Sequence, residues 1–210
     1  VLRGKVGDEV ILLDGKGTEA FAICVEGSRK SSRFMIQDLK RHAMVAQLEL
    51  LGPLPKGRRF AYLCEKIQEL GVCRYTPLST EFSVREETGL SGRQKALDRF
   101  REACKQSRNP WLTELGEPLS LAEVAWGEDC MVLDVGGQSL WQQPLSAPHP
   151  KKLFFGPEAG WSSKERELFK DKGICSLSVG GHHLRMETAA VVGAGMVLDW
   201  MSCRFRHVSK

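Results

Sequence analysis

Three glycine-rich stretches, Asp134-Val-Gly-Gly137, Phe155-Gly-Pro-Glu-Ala-Gly160 and Val179-Gly-Gly181, each follow a short apolar run. Glycine lets a backbone approach a ligand closely and turn where a side chain would clash. Gly136, Phe155, Gly156, Glu158, Gly160, Val179 and Gly180 are therefore candidates to line a small-molecule site. A second group, Leu184, Arg185, Glu187, Thr188 and Ala189, stands just before an apolar helical stretch. The free N–H groups of a helix start can hold polar ligand atoms or a phosphate. Each residue also has an ordinary role: a turn for the Gly-Pro pair, an N-cap for Thr188, an ion pair for Arg185 and Glu187. Neither G-x-G-x-x-G nor G-x-x-x-x-G-K-[ST] occurs, so the common dinucleotide and triphosphate cradles are unsupported.

The elements that must position these residues follow from periodicity. Beyond residue 57, helical and strand patterns alternate. Arg58 to Leu70 reads as a helix stopped by Gly71, Val72 to Leu78 as a strand, and Ser91 to Ser107 as a helix. Ser120-x-x-Glu123 is a capping box for a short helix. Met131 to Val135 reads as a buried strand ending at Gly136-Gly137, and Leu153 to Phe155 as another. Ser162-x-x-Glu165 opens a helix, Ile174 to Val179 is a strand, and Thr188 to Met201 is the last helix. This order predicts an α/β domain with a mainly parallel sheet, whose ligands bind at the strands' carboxyl ends. Residues 1 to 52 read instead as a small β-domain. Glu9 to Leu13 and Thr18 to Glu26 are strands joined by the turn Asp14-Gly-Lys-Gly17, and Met44 to Leu51 is a third. The basic stretch Gly27 to His42 reads as irregular. Gly52-Pro-Leu-Pro-Lys-Gly57 reads as the linker to a second domain over 53 to 210.

Composition bounds the function classes. The chain has 210 residues, 42% hydrophobic and 27% charged, which excludes collagen-like and disordered chains. No apolar run approaches the roughly 18 residues of a membrane span, so no membrane role is expected. The chain starts at Val1 in what reads as a strand, and the expectation is that it lacks its true beginning. Seven cysteines without C-x-x-C, and five histidines without ligand spacing, argue against a disulfide framework and a metal site. Such thiols suit a reducing cytoplasm. The net charge of +4 hides an uneven distribution: +5 over residues 55 to 110, −6 over 111 to 150 and +4 over 151 to 210. A basic stretch can present a phosphate-binding face or simply a solvated surface.

Two segments in combination carry a resemblance. Phe154-Phe-Gly-Pro-Glu-Ala-Gly-Trp-Ser162 and Ser178-Val-Gly-Gly-His-His-Leu-Arg-Met-Glu-Thr-Ala-Ala190 resemble the C-terminal signature of the RsmE family, ribosomal RNA small-subunit methyltransferases E of the SPOUT class. Leu54-Pro-Lys-Gly57, Lys66-Ile-Gln-Glu-Leu-Gly-Val72, Thr80-Glu-Phe-Ser83 and Gln106-Ser-Arg108 are similar to further family segments. Val1 to Asp8 and Asp14 to Gly17 are similar to its N-terminal domain, so nearly the whole chain is covered. The resemblance implies a PUA-like β-barrel domain that helps to bind RNA, followed by an α/β domain with a deep trefoil knot. It implies S-adenosylmethionine as cofactor, a homodimer whose sites are finished by the partner, and methyl transfer to N3 of a uridine in 16S rRNA of the small ribosomal subunit. Lys56, Arg58, Gln106 and Arg108 become RNA-binding candidates.

The chemistry sets its own demands. The uracil N3–H must lose its proton before N3 attacks, so the protein supplies orientation, charge stabilisation and a base. Arg185 and Arg108 can stabilise negative charge, and Glu187 and Glu158 are the candidate bases. The target must leave its RNA context to expose N3. Trp161 or Phe82 could stack on a base, or belong to a core or dimer interface. The chain departs from the family pattern at Phe82, Lys105, Ala159, Gly181, His182, His183 and Met186. These departures leave three readings open: an active rRNA methyltransferase, a knotted RNA-binding protein without turnover, and a SPOUT enzyme acting on another RNA such as tRNA.

Overall fold

A computed structural model of the chain describes residues 5–28, 31–44, 47–83, 90–143 and 151–208. Two sheets organise them. In the first, β1 (Glu9–Leu13), β2 (Thr18–Gly27) and β3 (Ser32–Arg41) pair antiparallel in chain order. The turn between β1 and β2 is built by Asp14, whose carboxylate accepts the backbone N–H of Lys16 at 2.7 Å and of Thr18 at 2.9 Å. Asp competes well for such local bonds and so favours turns. β3 corrects the expectation of an irregular stretch between Gly27 and His42. Its residues pair along β2, with Met35 opposite Ile23 and Leu39 opposite Ala20. Arg33, Lys40 and Arg41, which helped to suggest a loop, sit on an exposed edge strand, where charge is compatible with pairing and discourages further strands from adding, while Arg29 and Lys30 lie outside the described residues.

The second sheet contains β4 (Glu49–Gly52), β5 (Arg74–Ser79), β6 (Glu114–Leu115), β7 (Leu119–Ser120), β8 (Cys130–Gln138), β9 (Lys152–Phe154) and β10 (Cys175–Leu177). Its order is β10-β8-β9-β4-β5-β6, with β7 beside β5, and every pairing is parallel. Helices α1 (Arg58–Leu70), α2 (Leu90–Ser107), α3 (Ser163–Asp171) and α4 (Met186–Val208) complete the α/β unit. Alternation along the central strands divides the core in two. Leu50, Tyr75, Leu153 and Phe155 join Leu63 and Ile67 of α1, Phe100 of α2 and Val197 of α4. Leu51, Val132 and Phe154 join Trp161, Phe169 and Ile174 on the other face.

Three boundaries differ from the sequence reading. β4 pairs between β9 and β5, so the segment expected to close the N-terminal β-domain belongs to the parallel sheet. The stretch Gly52 to Gly57 is accordingly not an inter-domain linker. Gly52 ends β4 inside the core, where a Cβ would meet the Phe155 ring at 2.3 Å. Its Gly and Pro residues instead turn the chain from β4 into α1, and the passage between the sheets lies between Arg41 and Glu49. β8 also runs through Gly136 and Gly137 to Gln138 rather than ending at them. Gly137 is needed there because a Cβ would strike the Leu177 backbone at 2.4 Å.

The sheets meet at a small joint. The Gly17 N–H donates to the Pro110 carbonyl at 2.9 Å and the Leu112 N–H to the Gly15 carbonyl at 3.0 Å. Gly17 has φ +94°, and a Cβ on it would lie 2.3 Å from the Trp111 indole. The hairpin turn legible in the sequence is thus also the plug that seats the small sheet on the larger unit.

Candidate active site

The middle of β8 and the carboxyl ends of β9 and β10 open into one cleft of about 420 Å³. Its walls come from three chain segments: Leu133 to Val135, Phe155 to Trp161, and Leu177 to Leu184, closed by Met186 and Ala189 at the start of α4. Parallel strands all point their carboxyl ends to one edge, so loops distant in sequence converge there. Gly156 allows Trp161 to pack against the backbone, since a Cβ would come within 3.2–3.4 Å of the indole. The Trp161 ring is buried and packs edge-to-face on Phe169, with centroids 4.9 Å apart. Its Nε1 donates to the Leu133 carbonyl at 2.8 Å. Trp161 is therefore a rigid wall rather than a stacking surface for a base, whereas Phe82 is half exposed.

Of the sequence candidates, Phe155, Gly156, Glu158, Gly160, Val179, Gly180, Leu184 and Ala189 are brought together on the cleft wall. Gly136 and Thr188 are not among its lining residues. Thr188 is not the N-cap either. The Ala189 N–H already donates to the Arg185 carbonyl at 2.8 Å, so Arg185 holds the capping position and Thr188 lies inside the first turn. Arg185 is exposed beside the cleft, between Leu184 and Met186. Glu187 is buried one residue beyond Met186, and its carboxylate faces Arg59 of α1, with Arg59 Nε 3.8 Å from Glu187 Oε1. Arg59 Nη1 also donates to Glu158 Oε1 at 2.6 Å.

The basic candidates separate. Lys56 and Arg58 are exposed at the start of α1, and Gln106 and Arg108 are exposed at the end of α2. Arg108 does not reach the cleft within this chain. It has φ +54°, the residue after α2, and lines a different cavity of about 760 Å³ between β1 and α2, beside Arg101, Lys105 and Phe21. Among the described residues no group of His, Cys, Asp and Glu could hold a metal ion, and no helix is long and apolar enough to cross a membrane.

Periodicity missed several lining residues. Asp134, midway along β8 where its apolar run stops, is gripped by Arg166 of α3 through bonds of 2.8 and 3.0 Å. The carboxylate raises the Arg166 guanidinium still further above its ordinary value. An acidic residue directly after a buried apolar run was the readable signal for Asp134. Arg59 had none, because its partners lie about a hundred residues away.

The RNA methyltransferase domain family matches residues 42–198. A ribosomal RNA small subunit methyltransferase E from Synechocystis is 30% identical over 94% of this chain and 68% of its own length. The equivalent protein of Aquifex aeolicus is 29% identical over 63% of this chain and 59% of its own. The fold is that of a Neisseria gonorrhoeae protein of the same name, solved with S-adenosylmethionine, at a TM-score of 0.83 and 19% identity over 94% of this chain and 85% of that one. A Legionella pneumophila protein solved with the same bound cofactor gives 0.81 at 26% identity over 94% and 85%. By sequence match and by the residues gathered at its glycine-rich strand ends, the chain belongs to the RsmE family of RNA methyltransferases.

Proposed function

We propose that the protein uses S-adenosylmethionine to methylate N3 of a uridine in 16S rRNA of the small ribosomal subunit. The observation that carries this reading is the convergence of the two glycine-rich loops after β9 and β10, beside the middle of β8, into one cleft with a rigid indole wall. The residues present suit the cofactor. Leu133, Leu177, Val179 and Ala189 offer apolar surface, and the Gly156 and Gly180 backbones leave room that a side chain would take. Phe155, Gly156, Gly160, Val179, Gly180, Leu184 and Ala189 would hold it, with Glu158 supplying negative charge near a cationic group. When bound, the cofactor supplies an electrophilic methyl group on a sulfonium.

The chain's own part is to present and deprotonate the base. Glu187 accepts the N3 proton. Arg185, exposed at the rim, stabilises the negative charge that develops on the uracil. Lys56, Arg58, Gln106 and Arg108 bind RNA phosphates, and the basic stretch 55–110 is the electrostatic footprint of that contact. The three-stranded sheet serves as part of a PUA-like RNA-binding domain over the first 52 residues, apart from β4. The knot, the homodimer and a cytoplasmic setting belong to the same reading. The return of the chain to place β9 between β4 and β8 supports the knot.

Calorimetry with S-adenosylmethionine, followed by methylation of small subunits lacking the modification, tests the proposal. The expected result is saturable binding and a single N3-methyluridine in 16S rRNA. No binding at millimolar cofactor would end the enzyme reading, binding without transfer would leave an RNA-binding protein, and a methylated tRNA would move the substrate.

A further inference from the structure

Two glutamates occupy the first turn of a helix and are buried to the same degree, Glu165 in α3 and Glu187 in α4. The fold treats them differently. Glu165 Oε2 accepts the Ser162 N–H at 2.8 Å and Oε1 accepts the Glu81 N–H at 2.9 Å, so both oxygens are satisfied. Glu187 Oε1 has only the Arg59 guanidinium, 3.8 Å away, and among the described residues no donor reaches the buried Oε2. A buried carboxylate with an unpaired oxygen is costly, and such groups in a folded protein call for an explanation. The α4 helix start offsets part of the cost through its dipole. Arg59 is the cation seen against this carboxylate, and its other arm holds Glu158 in the cleft loop at 2.6 Å.

We propose that Arg59 is a positioning residue for methyl transfer: it ties the Glu158 loop of the cleft to the Glu187 carboxylate and so holds that loop and the start of α4 in one arrangement. This rests on the assignment of Glu187 as proton acceptor. In the step itself the N3–H bond breaks, its proton passes to the Glu187 carboxylate, and the N3 electron pair forms the N–CH₃ bond. The methyl–sulfur bond breaks, and its electrons remain on sulfur as the neutral thioether. Arg59 neither gives nor takes the proton. The Arg59–Glu158 contact is half exposed and contributes little stability alone. Its consequence is geometric, because it links the cofactor loop to the acid.

Two measurements test Arg59. The first needs no turnover. Arg59→Gln leaves Glu187 as an uncompensated buried charge, so the melting temperature falls by roughly 3–6 °C. Adding Glu187→Gln to that variant recovers most of the loss. Additive losses would overturn the coupling, whatever the enzyme's substrate proves to be. The second uses methyl transfer at saturating cofactor and RNA. Arg59→Gln lowers kcat by at least tenfold while the Kd for S-adenosylhomocysteine changes less than threefold, and Arg59→Lys restores part of kcat. An unchanged kcat in Arg59→Gln, or a loss confined to cofactor affinity, would overturn the positioning role. Absence of transfer by the wild-type chain would instead remove the proposed function and leave the thermal cycle standing.

Discussion

The two sheets solve the same problem, covering apolar strands, in opposite ways. The central parallel strands are buried on both faces, so almost every residue of Leu50–Leu51 and Leu153–Phe155 belongs to one of two cores. The three-stranded sheet buries Ala20, Ala22 and Cys24 but leaves Phe21, Met35, Ile36 and Leu39 exposed. Its attachment to the larger unit runs through a four-residue turn and its neighbours. A loop emerging from a strand buried on both faces inherits a fixed starting point, which is what a cleft built of backbone requires.

The difference can be broken at its strong end first. Phe154→Ala removes a fully buried ring stacked 4.9 Å from Trp126. It is expected to cost roughly 3–5 kcal/mol and lower the urea midpoint of the whole α/β unit. Gly17→Ala attacks the joint instead. The added methyl meets Trp111 in a backbone that disfavours any side chain, for a cost of about 1–3 kcal/mol. Hydrogen exchange should quicken in β1–β3 while β8 stays protected. Loss of protection in both sheets would show that they form one cooperative unit.

Smaller effects sharpen the contrast. Ser162→Ala deletes the oxygen that accepts the Glu165 N–H at 3.2 Å, and should cost about 1 kcal/mol, read as a lowered melting temperature. The smallest effect lies in the hairpin. The backbone N–H of Thr18, then that of Lys16, holds the Asp14 carboxyl below its ordinary range. A depressed carboxyl contributes stability above its unfolded value and loses it as pH falls through the folded one. The gap in melting temperature between wild type and Asp14→Asn should therefore close on acidification below about pH 4. A gap that persists in acid would mean that the turn depends on Asp14 for shape rather than charge.

Much of the site was legible because glycine and capping residues act locally. The turn at Asp14 to Gly17, the capping boxes at Ser120 and Ser162, and the stop of α1 at Gly71 all depend on neighbours within a few positions. Eight of the ten expected cleft residues line the cleft, because seven of them lie in the loops after β9 and β10, parallel strands end together, and Ala189 stands in the first turn of α4. Where long-range pairing decides, local signals failed. Nothing within Gly27 to His42 says that β2 will pair with it, and nothing within Glu49 to Gly52 says which sheet will claim it.

What the sequence determined alone was the alternation of elements, the glycine-rich strand ends and the family they resemble, since each is a matter of residue type at short spacing. What only the tertiary structure decided was which charges meet. Arg59 reaches Glu158 and Glu187 across about a hundred residues, Arg166 grips Asp134, and Arg108 lies apart from the cleft. The reason is physical: a side chain's partner is set by where the sheet order brings its strand or helix, and that order arises from burying both faces of the sheet at once.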